Sequence, residues 1–307
     1  MKVGIVGAGA VGSACLLSLF TRGSAREIVL VNRNRKRADG VVTDARYGSS
    51  LVPTAELRAG GYEDLSGAAL VMITAGINEK TGGATDRNDP KGRLKLLATN
   101  ADIYREIVPP IVKAAPEAVI LVVTDPPDAL ADVVHKIAPQ ARLLSTGTYL
   151  DSLRFRFHLA TKLKVNPASV DALVLGEHGT SQVFFWSAVR VSGVPLATVL
   201  GQSGTPLERL QQEVEREVRY ANITIIEGTG ASVYGISVVS ARIAEMVLRD
   251  ERAVIPIGSF NQEFGTTLSL PSVVGRNGVE KVLMPEMSSK ERELLEKSAK
   301  SIREAAA

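Results

Sequence analysis

The chain has 307 residues, 45% of them hydrophobic and 22% charged, with a net charge of +3. That composition supports a large core and about two domains, and it excludes a disordered, collagen-like or disulfide-stapled chain. So small a charge excess, with a pI of 8.9, sets no expectation of nucleic acid or an acidic membrane as partner.

In chain order, Lys2 to Val6 reads as a short buried strand. The turn Gly7-Ala8-Gly9-Ala10-Val11-Gly12 follows and opens an apolar helix from about Ala10 to Phe20. Cys15, the one cysteine, falls in that helix. It cannot form an intrachain disulfide, and packing is its expected role. Glu27 to Val31, Ala69 to Thr74 and Ala118 to Thr124 are three further apolar strands. A helical pattern runs from Leu94 to Ala114, with Pro109-Pro110 expected to bend or break it. Apolar strands alternating with helices predict a parallel sheet covered on both faces.

The pattern changes near residue 146. Asp171 to Leu175 and Phe184 to Val191 read as antiparallel strands, and Pro206 to Ile226 and Ser232 to Arg249 as long helices. Ala253 to Ile257 and Thr266 to Leu270 are strand-like. A last helix opens with a capping box, Ser288-Ser289-Lys290-Glu291, and carries Leu294, Leu295 and Ile302 on one stripe. The expected architecture is a Rossmann-type doubly wound parallel sheet over residues 1–146, followed by an α+β substrate domain over 147–307. No apolar run reaches the ~18 residues of a membrane span. With a single cysteine and no basic-then-apolar leader, the expectation is a cytoplasmic protein.

The glycine turn lies between a strand and a helix, where a doubly wound sheet holds a dinucleotide. Gly7 permits the tight turn, Gly9 admits a pyrophosphate and Gly12 lets the helix pack on the strand. The helix start at Ala10 and Val11 then faces the phosphates with its unpaired N–H groups. An acidic residue normally ends the second strand and takes the ribose hydroxyls. Here the stretch is Val31-Asn32-Arg33-Asn34-Arg35. Asn32 removes a charge that would repel a 2′-phosphate, and Arg33 or Arg35 could pair with one. NAD is expected as the commoner cofactor of this fold, with NADP left open.

Two strings carry the chemistry: Asp151-Ser152-Leu153-Arg154 and Gly176-Glu177-His178-Gly179. They supply a histidine, a carboxylate to orient it and an arginine to hold an anion, which is equipment for reducing a 2-oxo acid. His135 and His158 lie in helical stretches and read as surface or packing residues. With Thr74-Ala75-Gly76, Val123, Arg93 followed by Asn100, and Trp186-Ser187, the chain resembles the L-lactate/malate dehydrogenase family over essentially its whole length. The resemblance implies an NAD(P)-dependent L-2-hydroxy-acid dehydrogenase. In it His178 is the acid–base residue, Asp151 orients His178, Arg154 grips the substrate carboxylate, and Arg93 arrives on a loop to polarise the carbonyl. It implies cofactor contacts at the glycine turn, Thr74, Ala75, Gly76, Asn100 and Val123. No metal is expected, and a homodimer or homotetramer is.

Three departures bear on the substrate. The loop from Ile77 to Gly92 is long and places Glu79 where the family reads the substrate side chain with Gln or Arg. A carboxylate there would repel a second substrate carboxylate, although Lys80, Arg87 or Lys91 could swing in instead. Asp125 stands where the family has an asparagine, and an ionised carboxylate cannot donate to the substrate oxygen. Gly230 falls near a pocket-wall position and, with Tyr234 nearby, suggests a pocket roomier than pyruvate requires. Thr180 stands where the family has Asp, and its role is not legible in the sequence. Three other readings fit less well. An NAD-dependent glycosidase of related fold would need a metal held by cysteine and histidine, and Cys15 is remote in sequence from His178. A non-catalytic dinucleotide-binding homologue leaves the set His178, Asp151, Arg154 and Arg93 unexplained. A ketopantoate-type reductase shares the glycine turn but lacks both strings.

Overall fold

A computed structural model describes residues 1–77, 95–203 and 206–306 of the chain. The first half lays down β1 (Lys2–Val6), α1 (Ala10–Thr21), β2 (Glu27–Val31), α2 (Arg35–Arg46), β3 (Glu56–Gly60) and β4 (Ala68–Ile73). It continues with α3 (Leu97–Ala114), β5 (Val119–Val122), α4 (Pro127–Ile137) and β6 (Arg142–Ser145). These strands pair in parallel in the order β6-β5-β4-β1-β2-β3. The order reverses beside β1, so the turns after β1 and β4 open into one crevice at the carboxyl ends of the strands.

The second half begins with α5 (Tyr149–Leu163) and the short strands β7 (Val170–Asp171), β8 (Val174–Leu175), β9 (Val183–Phe184), β10 (Arg190–Val191) and β11 (Val194–Pro195). Helices α6 (Leu196–Ser203), α7 (Leu207–Arg219), α8 (Ala221–Thr229) and α9 (Tyr234–Leu248) follow. The chain then forms β12 (Ala253–Asn261), β13 (Thr266–Gly275), β14 (Gly278–Val282) and α10 (Ser289–Ala306). The last three strands extend the first sheet beyond β6, giving nine strands in all. The sheet thus crosses residue 146. The helices cross it too: α3, α4 and α10 cover one face of the sheet, and α1, α2 and α9 the other. A third core, around Phe155, Leu159, Phe184 and Val214, joins α5 and α7 to the short strands.

Several elements differ from the sequence expectations. α3 runs through Pro109 and Pro110 to Ala114, with Val108 and Ile111 fully buried. Burial of its apolar face outweighs the backbone bonds the prolines remove. The expected helix from Pro206 to Ile226 is two helices, α7 and α8, meeting at Tyr220. The expected strand from Phe184 to Val191 is interrupted by a 3-10 turn over Trp186–Ala188. β3, β6 and β14 lie outside the expectation. Their sequences, Glu-Leu-Arg-Ala-Gly, Arg-Leu-Leu-Ser and Gly-Val-Glu-Lys-Val, are too polar or too short for a buried-strand pattern.

Candidate active site

The crevice is lined on one side by Gly9, Ala10, Val11, Thr74, Gly76 and Val123. The glycine turn is built tightly enough to need its glycines. A Cβ on Gly12 would stand 1.9 Å from the Gly7 carbonyl oxygen and 2.6 Å from Thr74 Oγ1, whereas a Cβ on Gly9 would meet nothing within 4 Å. Gly12 therefore serves helix packing, and Gly9 leaves the crevice open to a ligand. Gly9 caps α1 without a side-chain hydrogen bond, so the first-turn N–H groups are left to bind an anion. These residues fit a dinucleotide.

Across the crevice lie Asp125, Thr146, Leu150, Arg154, His178, Asn222, Ala231, Ser232 and Ile236. Asp151, in the first turn of α5, is buried, and Arg154 follows one turn later on the same face. The two oxygens of Asp151 divide their work. Oδ2 lies 2.5 Å from His178 Nδ1, and Oδ1 accepts from Arg154 Nη1 at 3.2 Å. A carboxylate on Nδ1 fixes the imidazole tautomer and favours its protonated form, leaving Nε2 as the ring position for proton exchange with a ligand.

The segment carrying His178 is fastened at its start. Gly176, at φ +81°, bridges to Ser269 of β13, and a Cβ there would stand 2.5 Å from Ser298 Oγ. Only glycine fits so close to α10 with that backbone. After His178, Arg219 of α7 donates to the carbonyls of Thr180 at 2.6 Å and Gln182 at 3.3 Å. Thr180 is thus held through its main chain.

Comparison with known proteins decides the family. Residues 1–144 match the model described as lactate/malate dehydrogenase, NAD binding domain, and residues 148–307 that of the alpha/beta C-terminal domain. The chain belongs to the lactate/malate dehydrogenase family. It is 41% identical to an L-lactate dehydrogenase of Deinococcus radiodurans, covering 99% of this chain and 97% of that one. It is also 41% identical to an L-lactate dehydrogenase of Thermus aquaticus, covering 100% and 98%. The crystal structure of a minor L-lactate dehydrogenase from Enterococcus mundtii superposes with a TM-score of 0.91 at 30% identity, covering 99% and 97%.

As a lactate/malate dehydrogenase family member, the protein is an oxidoreductase that transfers a hydride between a nicotinamide cofactor and a 2-hydroxy or 2-oxo acid. Its Rossmann domain and α/β second domain are those of the family.

The structure brings His178, Asp151, Arg154 and Asp125 to one crevice with Gly9, Ala10, Val11, Thr74, Gly76 and Val123. Gly7, Gly12 and Ala75 support that wall rather than line it. Asn32 lies at the end of β2, beside the glycine turn. Its Oδ1 accepts from the Ala8 N–H at 3.0 Å and its Nδ2 donates to the Asn34 carbonyl at 2.9 Å. It braces the glycine turn. Asn100 is also a brace: fully buried, it accepts from Ile77 N–H at 2.8 Å and donates to the Asp125 carbonyl at 2.9 Å. Gly230 is the left-handed C-cap of α8, at φ +81°, and the wall is made by Ala231 and Ser232 just beyond it. Tyr234 is largely exposed. Arg93 and Glu79 lie outside the described residues. Asn222 and Ser232 were not legible as site residues, because each sits in an ordinary helical or turn context with no motif of its own.

Proposed function

We propose that the protein is an NAD-dependent L-2-hydroxy-acid dehydrogenase acting on monocarboxylic 2-oxo acids, pyruvate and somewhat larger. The observation that carries this is the pairing of one Asp151 carboxylate with both His178 and Arg154 inside the crevice that the glycine turn opens. Arg154 holds the substrate carboxylate, and His178 presents Nε2 to the carbonyl oxygen. A bound nicotinamide supplies or accepts the hydride. His178 gives the proton that the carbonyl oxygen takes up in reduction, and takes it back in oxidation. Asp151 keeps the ring oriented through both directions. Arg93 is assigned the polarising role by resemblance alone.

Two features support a monocarboxylic substrate. The crevice already holds Asp125, so a second substrate carboxylate would meet a like charge in a partly dehydrated space. Ala231 and Ser232 are small, which leaves room for a side chain beyond methyl. NAD rather than NADP is supported by the arginines near Asn32. Arg35 is committed to Asp39 and the Ala59 carbonyl, and Arg37 to the Ala8 carbonyl. Arg33 is exposed.

We also propose a homodimer or homotetramer. Leu17 on α1 and Tyr234 and Val238 on the adjoining α9 are exposed apolar groups on one face of the molecule. Light scattering of the purified protein at micromolar concentration should give a mass at least twice 32.6 kDa.

The deciding experiment is steady-state oxidation of NADH and NADPH with pyruvate, 2-oxobutyrate, phenylpyruvate and oxaloacetate. The proposal predicts kcat/KM at least tenfold higher with NADH, and monocarboxylic acids ahead of oxaloacetate. Preference for oxaloacetate would move the assignment to a malate enzyme. No turnover of any acid by folded, NADH-binding protein would defeat it.

A further inference from the structure

Three successive main-chain N–H groups leading into the catalytic histidine are each held by a different part of the fold. Gly176 donates to the Ser269 carbonyl of β13 at 2.9 Å. Glu177 donates to Ser298 Oγ of α10 at 2.8 Å. His178 donates to Asp128 Oδ2 of α4 at 2.7 Å. The first two acceptors are neutral. The third is a carboxylate only 1% exposed, whose other oxygen accepts from Ser145 Oγ at 2.5 Å.

A backbone N–H needs no charge for its satisfaction; a carbonyl or a carboxamide would do. A carboxylate in that place is costly to bury. Burial pushes the Asp128 carboxyl up to about 7, against the opposing pull of the Ser145 hydroxyl and the His178 N–H. The site is also sealed. A Cβ at Gly258 of β12 would stand 2.6 Å from Asp128 Oδ1 and 1.8 Å from Ser145 Oγ. The strand closes over the carboxylate only because it has no side chain there.

We propose that Asp128 is a positioning residue for the hydride-transfer reaction: its carboxylate fixes the main chain of His178 and sets a negative charge behind the imidazole, favouring the protonated ring. The proposal rests on His178 being the proton donor. Among the described residues, the charges of His178 and Glu177 bear on Asp128. Glu177 is its like-charged neighbour in sequence with His178, and Asp151 and Arg154 act on the ring from α5. Asp132, one turn along α4, is taken up by Thr266 Oγ1 at 2.5 Å and the Thr267 N–H at 2.7 Å. Ser145 of β6 and Gly258 of β12, which lie against Asp128, are neutral.

The test uses the full-length enzyme and three variants, Asp128→Asn, Asp128→Ala and His178→Asn, with the fastest 2-oxo acid of the panel above. Asp128→Asn keeps an acceptor for the His178 N–H and removes the charge. Its alkaline limb of kcat/KM in the reduction direction should move to lower pH by roughly 0.5–1 unit, because the imidazolium loses a supporting anion. Asp128→Ala should lose roughly 10- to 100-fold in kcat with NADH affinity unchanged. A merely structural Asp128 would alter thermal stability and leave the pH limb in place. An Asp128→Asn profile superimposable on the parent overturns the proposal, and it decides alone if Asp128→Ala does not fold. His178→Asn separates the two levels. If it is inactive while Asp128→Asn is unchanged, only the positioning role fails. If it retains parental turnover, the reading of His178 fails with it.

Discussion

Asp151 serves two cations with one buried carboxylate, so its removal should damage both. Asp151→Asn keeps the shape but lets the carboxamide select the wrong tautomer of His178. Steady-state kinetics should show kcat down roughly 10²–10⁴-fold. Arg154→Leu leaves the substrate carboxylate without its partner and should lower kcat/KM by about 2–5 kcal/mol equivalent, with NADH binding intact. Asp128 gives a stability signature of opposite sign to that of a salt-bridged acid. Its folded value of about 7 stands above the ordinary 3.8. Its contribution is therefore present below pH 3.8 and lost as pH rises to about 7. Asp128→Asn should raise the melting temperature at pH 8 by more than at pH 5, as read by scanning calorimetry. An equal change at both would refute the sign. Cys15 is fully buried, and burial pushes its thiol up to about 12. It should resist a thiol reagent in the native protein and react at once in denaturant.

Among elements, α10 is fastened at its first turn by Glu291. Its carboxylate accepts from the Ser288 N–H and hydroxyl, closing the capping box, and from the Ser187 N–H at 3.0 Å and hydroxyl at 2.8 Å. Burial works to raise this carboxyl, but the bonds from Ser288 and Ser187 outweigh it and hold it below its usual range. That stability is present above about pH 4.5 and is lost as pH falls through the lowered value. Glu291→Ala should cost about 1–3 kcal/mol in urea unfolding near neutrality, and much less at pH 3. The capping box was legible because it is local; the partner at Ser187, 104 residues away, was not. The same division runs through the sheet. β1, β2, β4 and β5 lie inside a parallel sheet, and their unbroken apolar runs announce them. β3 and β14 are edge strands, and the polar residues that suit an edge erase the signal. The strings of the proposed site were readable for a related reason: Asp151 and Arg154 are one helical turn apart. Asp128 reaches His178 across 50 residues. In sequence it is only an acid at the start of a helix, where acids are common.

At the scale of the molecule, the two halves share more than a crevice. Glu245 of α9 is buried and accepts from Arg22 and Ser24, which close α1, at 2.6–2.9 Å. Asp132 of α4 holds the start of β13. Unfolding by urea should therefore be a single transition by both circular dichroism and Trp186 fluorescence, although Trp186 reports only the second half. Two separated midpoints would contradict this.

The placement of β12 beside β6 has a consequence during synthesis. When residue 146 leaves the ribosome, every strand of the cofactor domain exists, yet β6 still has one open flank of main-chain donors and acceptors. Its native cover, β12, begins more than a hundred residues later. Through that interval the nascent chain displays a sticky margin to any passing strand. A fragment ending at residue 146 should accordingly precipitate or capture a foreign strand, and the intact enzyme should depend on chaperone cover until β12, in the last quarter of the chain, is made.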